Sequence, residues 1–314
     1  MSATCAFLFP GQGSQHVGMG ADLAGTFAEA RRTMQEADDA LDYPLGRLCV
    51  EGPEDTLSLT EHAQPAILAV SIMVLRVLRE RGGTRPFLVA GHSLGEYTAL
   101  VAAGVLDFGA ALRVVRERGR LMQGCVAPGV GGMTAIVGID ATRVEEWCAA
   151  ACRDGGVVAP ANYNGAGQIV IAGHAAAVDR VAAVAKAHGA RLVRRLPVSA
   201  PFHSALMSPA ARALAGILRT IAFRTPEVLL VSNLDGAIVS DASELAPRLA
   251  TQVERPVRWD RCMATVASRG CTHALELGPG NALSALTRRM DLGLTSRSVG
   301  TVAAVSDVLD GAGA

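Results

Sequence analysis

Residues 87–96 read Phe87-Leu88-Val89-Ala90-Gly91-His92-Ser93-Leu94-Gly95-Glu96, and they contain the strand-turn-helix pattern around which the predicted fold is arranged. Its apolar first half predicts a short buried strand, and residues 94–103 predict a helix. The pattern Gly-x-Ser-x-Gly lies between them, and its two glycines let a strand and a helix approach closely at a tight turn. Such a turn places the Ser93 hydroxyl at the positive end of the helix, which is typical of a serine nucleophile. A purely structural turn is the alternative.

The composition excludes several classes of protein. The chain has 314 residues, 50% of them hydrophobic, and its 29 basic and 29 acidic side chains give zero formal net charge. This balance offers no electrostatic footprint for nucleic acid or for an anionic membrane. The longest apolar helix candidate, residues 66–78, is shorter than the ~20 residues that a membrane span needs. The N-terminal residues also lack the basic segment of a signal peptide, and we therefore expect a cytoplasmic protein.

The cysteines give no sign of a metal site. There are seven of them, an odd number, and no two form a C-x-x-C pair. Cys148 and Cys152 lie one helical turn apart, but two thiols without nearby histidines make a poor metal site. We therefore expect the reduced thiols of a cytosolic protein.

The order of the predicted elements divides the chain into two units. Residues 1–127 and 201–314 alternate strands with helices, which predicts a mostly parallel sheet covered on both faces. Residues 128–200 have the order βαββαβ, the pattern of a ferredoxin-like unit. We therefore expect an α/β fold in which a large α/β-hydrolase-like subdomain carries an inserted ferredoxin-like small subdomain. The last predicted element is a helix that ends at residue 289.

A serine nucleophile needs a base, and histidine is the usual one. Of the seven histidines, His203 is best placed, because it follows the boundary at which the chain re-enters the large unit. His92 adjoins the serine, but its ring is expected to point away. An α/β hydrolase would carry an acidic residue at a strand end between its serine and its histidine. The candidates in that interval fall at predicted helix starts or in loops: Asp107, Asp140 and Asp154. Either a backbone carbonyl replaces the carboxylate or the assignment is wrong.

Six short motifs identify a family. In chain order they are Phe9-Pro10-Gly11-Gln12-Gly13-Ser14-Gln15, Gly91-His92-Ser93-Leu94-Gly95-Glu96-Tyr97, Arg118-Gly119, Asn162-Tyr163-Asn164, Phe202-His203-Ser204 and Glu276-Leu277-Gly278-Pro279-Gly280. With these motifs, residues 4–290 resemble the malonyl-CoA:acyl carrier protein transacylases and the acyltransferase domains of polyketide synthases. The resemblance implies that malonyl-CoA acylates Ser93 and that His203 is the base.

The same resemblance implies roles for the rest of the site. The main-chain carbonyl of Gln252 would orient the histidine, which accounts for the missing carboxylate. The N–H groups of Gln12 and Leu94 would form the oxyanion hole. Arg118 would hold the free carboxylate of malonate, because a guanidinium binds a carboxylate through two parallel hydrogen bonds and stays charged when desolvated. The other implied substrate-binding residues are Gln64, Met122, Asn162, Gln168, Phe202 and Asn233.

A few further residues indicate which acyl group is selected and which biosynthetic pathway the enzyme serves. Phe202 and Leu94 resemble those of acyltransferases that select malonyl, although one methyl group is worth only ~1–3 kcal/mol of discrimination. Ser204 and the pair Ser199-Ala200 resemble discrete acyltransferases that serve polyketide synthases slightly more than the fatty-acid enzyme. We therefore predict a discrete trans-acting acyltransferase of polyketide synthesis, or else one of fatty-acid synthesis.

The predicted reaction is ping-pong transfer of malonyl from malonyl-CoA to the phosphopantetheine thiol of an acyl carrier protein. No metal or redox cofactor is implied, and we expect a monomer without nucleic-acid or membrane partners. One alternative is an acyl hydrolase that clears stalled carrier proteins, but Arg118 argues against it because such hydrolases act on acyl groups without a free carboxylate. The other is a non-catalytic carrier-protein-binding subunit, which would not need Ser93 and His203.

Overall fold

The computed structural model describes residues 4–127, 129–198 and 200–311. Its strands, in chain order, are β1 (Cys5–Phe9), β2 (Leu88–Gly91), β3 (Gly131–Val137), β4 (Val158–Gly165), β5 (Gln168–His174), β6 (Leu192–Arg195), β7 (Leu229–Val231), β8 (Ile238–Val239), β9 (His273–Leu277) and β10 (Thr295–Val299). Its α-helices are α1 (Ala21–Thr26), α2 (Ala28–Leu41), α3 (Leu45–Glu51), α4 (Glu54–Leu57), α5 (Thr60–Glu80), α6 (Gly95–Ala102), α7 (Phe108–Gln123), α8 (Ala141–Arg153), α9 (Ala175–Ala187), α10 (Ser208–Leu218), α11 (Leu245–Gln252), α12 (Trp259–Ser268), α13 (Ala282–Thr287) and α14 (Val302–Leu309).

The larger sheet has six strands in the order β10-β9-β1-β2-β7-β8. All neighbouring pairs are parallel except β7 and β8, which form an antiparallel edge. Every residue of the central strand β1 is buried, as expected for a parallel strand whose two faces are both covered by other elements. The predicted mostly parallel sheet is therefore confirmed.

The smaller sheet has four strands in the order β4-β5-β3-β6, and every pair is antiparallel. In the chain these strands and their helices follow one another as β3, α8, β4, β5, α9 and β6, which confirms the predicted βαββαβ order. The two helices bury an apolar face against the sheet, including Val144, Cys148 and Val178. Pro128 and Ser199, at the ends of the predicted small unit, lie outside the described residues.

Helix α5 is the longest helix described and lies inside the fold. Among the described residues it alone is long and apolar enough to cross a membrane, yet 83% of its most apolar window is buried by the protein itself. It packs against helices α2, α6 and α7. Burial in the core therefore accounts for its apolar sequence.

The C-terminal part of the chain differs from the sequence prediction. The helix expected to end at residue 289 ends at Thr287, and it is followed by β10 and α14. Strand β10 has a polar sequence, but its parallel pairing with β9 satisfies its backbone and buries Ser296 and Val299. Helix α12 was also not predicted. Strand β10 depends on tertiary contacts that a local pattern does not show. Helices α12 and α14 were missed although they carry local signals, since the buried residues of α12 recur at helical spacing and Thr301 caps α14.

Candidate active site

The turn between β2 and α6 holds Ser93 in a strained conformation. The φ angle of Ser93 is 53°, in the left-handed region that non-glycine residues seldom occupy. A Cβ added to Gly91 would lie 1.9 Å from the carbonyl carbon and oxygen of Gly95. A Cβ added to Gly95 would lie 2.1 Å from the carbonyl oxygen of Phe9. Both glycines are therefore required by the close approach of backbone to backbone that the sequence predicted.

Ser93 and His203 form a hydrogen-bonded pair. Ser93 Oγ lies 2.7 Å from His203 Nε2, and His203 Nδ1 lies 2.7 Å from the carbonyl oxygen of Gln252. Because a carbonyl only accepts, Nδ1 carries the proton and Nε2 is left to accept the hydroxyl proton of Ser93. Burial, together with the positive charge of Arg118, lowers the pKa of His203 to about 3. The imidazole is therefore neutral near pH 7 and can act as a base.

Two helix ends face this pair. Gln252 is the last residue of α11, so its carbonyl has no partner within the helix and carries part of the negative end of the helix dipole. That end would stabilise an imidazolium formed on His203. On the other side, Ser93 precedes the first turn of α6, where backbone N–H groups and the positive end of the dipole favour a developing oxyanion.

Two backbone N–H groups are available near the serine. Gln12 and Leu94 both line the cavity that contains Ser93. Within the part of the chain that the structure describes, no hydrogen bond to another protein atom uses the backbone N–H of either residue. The side-chain amide of Gln12 donates to Thr60 Oγ1 at 3.2 Å, which holds this loop against α5. Such free donors could stabilise an oxyanion.

Arg118 is a buried cation without an acidic partner. Its side chain on α7 is only 1% exposed, and Nη1 donates to Gln64 Oε1 at 2.7 Å. Nη2 donates to Gln252 Oε1 at 2.9 Å and to Ser93 Oγ at 3.1 Å. None of the ion pairs among the described residues includes Arg118. A buried charge of this kind is costly unless it is paired, so the site is suited to an anionic ligand.

The cavity beside Ser93 has a volume of about 100 Å³ and lies between the two sheets. The residues predicted from the sequence that line it are Gln12, Gln64, Ser93, Leu94, Arg118, Met122, Asn162, Phe202 and His203. Four further lining residues were not predicted to bind substrate: His92, Met133, Leu196 and Val198. Met133 belongs to β3 and the last two follow β6, so the small sheet closes one side of the cavity.

Gln168 and Asn233 lie behind the cavity wall. Gln168 Oε1 accepts a hydrogen bond from Asn164 at 2.9 Å, and Asn164 Oδ1 lies 2.9 Å from His92 Nε2. Asn233 Oδ1 accepts from the N–H of Ser93 at 2.6 Å, and its Nδ2 donates to the carbonyl of Gly91 at 2.7 Å. Asn233 therefore fixes both sides of the serine turn, and neither residue is part of the cavity lining.

Glu96 is a buried acid that sequence reasoning did not select. Its side chain is 3% exposed, and Oε2 accepts from Gln252 Nε2 at 2.6 Å and from the N–H of Asn233 at 3.3 Å. Burial raises the pKa of Glu96 to about 7. The available signal was an acidic residue in the first turn of a helix that is otherwise apolar.

The described residues show no site for a metal. No group of three or more histidine, cysteine, aspartate or glutamate side chains among them could hold a metal ion. All seven cysteines are free thiols. Burial raises the pKa of Cys5, Cys49 and Cys148 to about 12, which keeps these three thiols protonated and unreactive at neutral pH.

Known proteins resemble this chain over nearly its full length. Residues 6–302 match the acyl transferase domain family. The malonyl CoA-acyl carrier protein transacylase of Salmonella typhimurium is 45% identical over 304 residues, which cover 97% of this chain and 98% of that protein. The protein of the same name from Bacillus subtilis is 41% identical over 294 residues, or 94% of this chain and 92% of its own.

Solved structures of similar proteins superpose closely on this chain. A malonyl-transacylase in complex with a type II PKS acyl-carrier protein superposes with a TM-score of 0.96 at 43% identity, covering 98% of this chain and 100% of its own. An acyl carrier protein S-malonyltransferase from Vibrio cholerae superposes with a TM-score of 0.94 at 42% identity, again over 98% and 100% of the two chains. At this identity and coverage the similarity extends beyond the fold to the sequence of nearly the whole chain.

Proposed function

The chain belongs to the acyl transferase family, and from this membership we propose that it transfers malonyl from malonyl-CoA to the phosphopantetheine thiol of an acyl carrier protein. Relatives that are named malonyl CoA-acyl carrier protein transacylases and share up to 45% of its residues support this activity. A similar structure solved together with an acyl-carrier protein supports the acceptor. The observation that carries the proposal is the unpaired guanidinium of Arg118, whose Nη2 lies 3.1 Å from Ser93 Oγ.

In the first half-reaction the enzyme becomes acylated. His203 accepts the hydroxyl proton while Ser93 Oγ attacks the thioester carbonyl, and the N–H groups of Gln12 and Leu94 stabilise the oxyanion. The carbon–sulfur bond then breaks, and the departing CoA sulfur takes the proton from His203. The product is a malonyl ester of Ser93.

The second half-reaction is the reverse with a different thiol. His203 accepts the proton of the phosphopantetheine thiol, and the thiolate attacks the malonyl ester. When the ester bond breaks, Ser93 Oγ takes back the proton. Neither step changes an oxidation state, so the proposed reaction requires no redox cofactor. We propose that it also uses no metal, because His203 supplies the base and the N–H groups of Gln12 and Leu94 stabilise the oxyanion.

Substrate selection rests on one cation and two bulky side chains. Arg118 would pair with the free carboxylate of malonyl, whereas an acetyl group would leave the buried cation unpaired. Phe202 and Leu94 line the cavity and limit space for a branching methyl group. Discrimination against acetyl should therefore be stronger than discrimination against methylmalonyl, since one methyl group is worth only ~1–3 kcal/mol.

We further propose that the enzyme acts as a cytoplasmic monomer. The units predicted from the sequence, 1–127 with 201–314 and 128–200, would then each supply one wall of the site.

Malonyl transfer of this kind feeds both polyketide and fatty-acid chain elongation. Offering the malonyl-enzyme equal amounts of a polyketide and a fatty-acid carrier protein distinguishes the two settings by which carrier is loaded faster.

Intact-mass spectrometry tests the proposed reaction. The wild type incubated with malonyl-CoA should gain one malonyl group, and a phosphopantetheinylated carrier protein should then remove it and become malonylated. Ser93→Ala should gain nothing, whereas Ser240→Ala, at an exposed serine, should behave like the wild type. Loss of malonyl to water with the carrier left unloaded would favour an acyl hydrolase, and absence of any adduct on the wild type would favour a non-catalytic binding subunit.

A further inference from the structure

A single amide separates the buried charges Glu96 and Arg118. Their side chains are 3% and 1% exposed, yet they form no direct ion pair among the described residues. The side chain of Gln252 lies between them, with Oε1 accepting from Arg118 Nη2 at 2.9 Å and Nε2 donating to Glu96 Oε2 at 2.6 Å. The amide dipole is therefore aligned between the cation and the anion, and both charges are stabilised without touching.

This spacing keeps the guanidinium available to a ligand. A direct pair with a carboxylate commonly uses two parallel N–H groups of an arginine and would occupy the edge that a substrate needs. Here Nη2 instead also reaches Ser93 Oγ at 3.1 Å, and Nε has no partner within the described part of the chain. Glu96 balances the charge of Arg118 from the far side of the Gln252 amide.

We propose that Glu96 is a positioning residue that acts through Gln252 on the malonyl carboxylate. Glu96 takes up a proton when this carboxylate binds Arg118. This inference rests on the proposed function. Above pH 7, where Glu96 is ionised in the free enzyme, one buried anion balances one buried cation. The malonyl carboxylate adds a second anion in the same low-dielectric region, and protonation of Glu96 restores the balance. The proton comes from solvent, and no bond between heavy atoms changes.

Of the described groups that face this region, Glu96 titrates near neutral pH. Burial lowers the pKa of His92, which lines the cavity, so its imidazole stays neutral. Burial raises the pKa of Tyr97 on α6 and of Cys262 on α12, so both stay protonated. The pKa of His203 is lowered to about 3, so it stays neutral, and Arg118 stays charged. Burial raises the pKa of Glu96 to about 7.

The test compares malonyl with acetyl loading across pH. Single-turnover acylation by malonyl-CoA and by acetyl-CoA is followed by quenching and intact-mass spectrometry between about pH 5.5 and 8.5. The serine, the histidine and the leaving CoA are common to both reactions. The ratio of kcat/KM for malonyl-CoA to kcat/KM for acetyl-CoA therefore reports the contribution of the malonyl carboxylate alone. In the wild type this ratio should fall above pH 7, by up to about 10-fold per pH unit for one linked proton. A merely structural role of Glu96 would leave the ratio independent of pH.

The variant Glu96→Gln should abolish this pH dependence. Glutamine keeps an oxygen that can accept from Gln252, but it does not titrate, so the ratio should be constant across the range. Glu51→Gln, at an exposed glutamate that pairs with Arg47 on the surface, should keep the wild-type profile. Retention of the wild-type slope in Glu96→Gln would overturn the proposal.

A second measurement needs no variant. In weakly buffered solution with a pH indicator, wild-type enzyme near pH 7 should take up more protons on loading malonyl than on loading acetyl. Equal uptake, or a wild-type ratio that does not change with pH, would overturn the role of Glu96. Failure to form any malonyl-enzyme at any pH would instead overturn the proposed function itself, so the two failures are distinguishable.

Discussion

At the scale of single residues, Gly91 has no room for a side chain. The atoms that a Cβ would meet at 1.9 Å belong to the backbone of Gly95, which cannot rotate away. We expect Gly91→Ala to destabilise the protein by at least about 3 kcal/mol or to prevent folding. Gly25→Ala is the control, because its Cβ would meet nothing within 4 Å in α1 and should change stability by less than about 1 kcal/mol. Urea denaturation measures both, and a wild-type midpoint for Gly91→Ala would contradict the account.

Some site residues follow from local sequence, and others do not. Ser93 follows from Gly-x-Ser-x-Gly, because the glycine spacing reports a backbone constraint directly. Arg118 does not, since Arg113, Arg116 and Arg120 share its helix, and only burial separates them: Arg118 is 1% exposed, whereas the Arg120 side chain is 61% exposed. The local pattern alone did not identify Arg118, and the family resemblance supplied it.

At the scale of elements, the end of α11 provides a backbone atom and a side chain with different roles. The Gln252 carbonyl lies within hydrogen-bond distance of His203 Nδ1, whereas its side-chain amide accepts from Arg118 and donates to Glu96. In Gln252→Ala the carbonyl remains, so Ser93 should still be acylated. The buried donors and acceptors left without partners should cost about 1–3 kcal/mol, and KM for malonyl-CoA should rise about 10-fold.

Steady-state kinetics and urea denaturation check this expectation. Gln35→Ala on α2 is the control, because that side chain is exposed and donates to Asp39 Oδ1, its one hydrogen-bond partner among the described residues. Loss of acylation in Gln252→Ala, with the fold intact, would contradict the separation of the two roles.

A strong period or a clear cap made some elements predictable, although α12 and α14 carry such signals and were missed. Helix α8 belongs to the predicted βαββαβ unit, and its sequence shows why: Asp140 accepts from the N–H of Thr142 at its start and an apolar face follows. Strand β10 was not predicted, because its sequence is polar and its position depends on pairing with β9. Pairing between strands distant in sequence leaves little local signal.

At the scale of the whole molecule, Glu96 links stability to pH. Its pKa is raised from 4.5 to about 7 by burial, so the stability that it contributes is fully present below pH 4.5 and is lost as pH rises through 7. In Glu96→Gln the side chain at this position has no group that titrates in this pH range. The wild type should therefore lose about 3 kcal/mol relative to this variant between pH 4.5 and pH 7.

Denaturant unfolding of both proteins across this range measures the difference. The pH dependence that other groups contribute, including that of His203, is common to both proteins and cancels. A difference that is constant with pH, or that grows in the opposite direction, would contradict the burial and charge state assigned to Glu96.

The arrangement of the two sheets was predictable in part. The βαββαβ order is local and was visible in the sequence. The position of the small sheet over Ser93 was not, because it depends on contacts such as the bridge between Asn162 and Val257. For the same reason Met133, Leu196 and Val198 were not recognised as cavity residues.

The role proposed for Arg118 is to select an acyl group with a free carboxylate. The most direct measurement is intact-mass spectrometry of wild type and Arg118→Ala, each incubated with malonyl-, methylmalonyl- and acetyl-CoA, with Arg120→Ala as a control on the exposed side of the same helix. We expect malonyl to load fastest on the wild type and on the control. In Arg118→Ala we expect malonyl loading to fall by about 100-fold and acetyl to load at least as well as malonyl. Equal loading of acetyl and malonyl on the wild type, or an unchanged preference for malonyl over acetyl in Arg118→Ala, would contradict this role of Arg118.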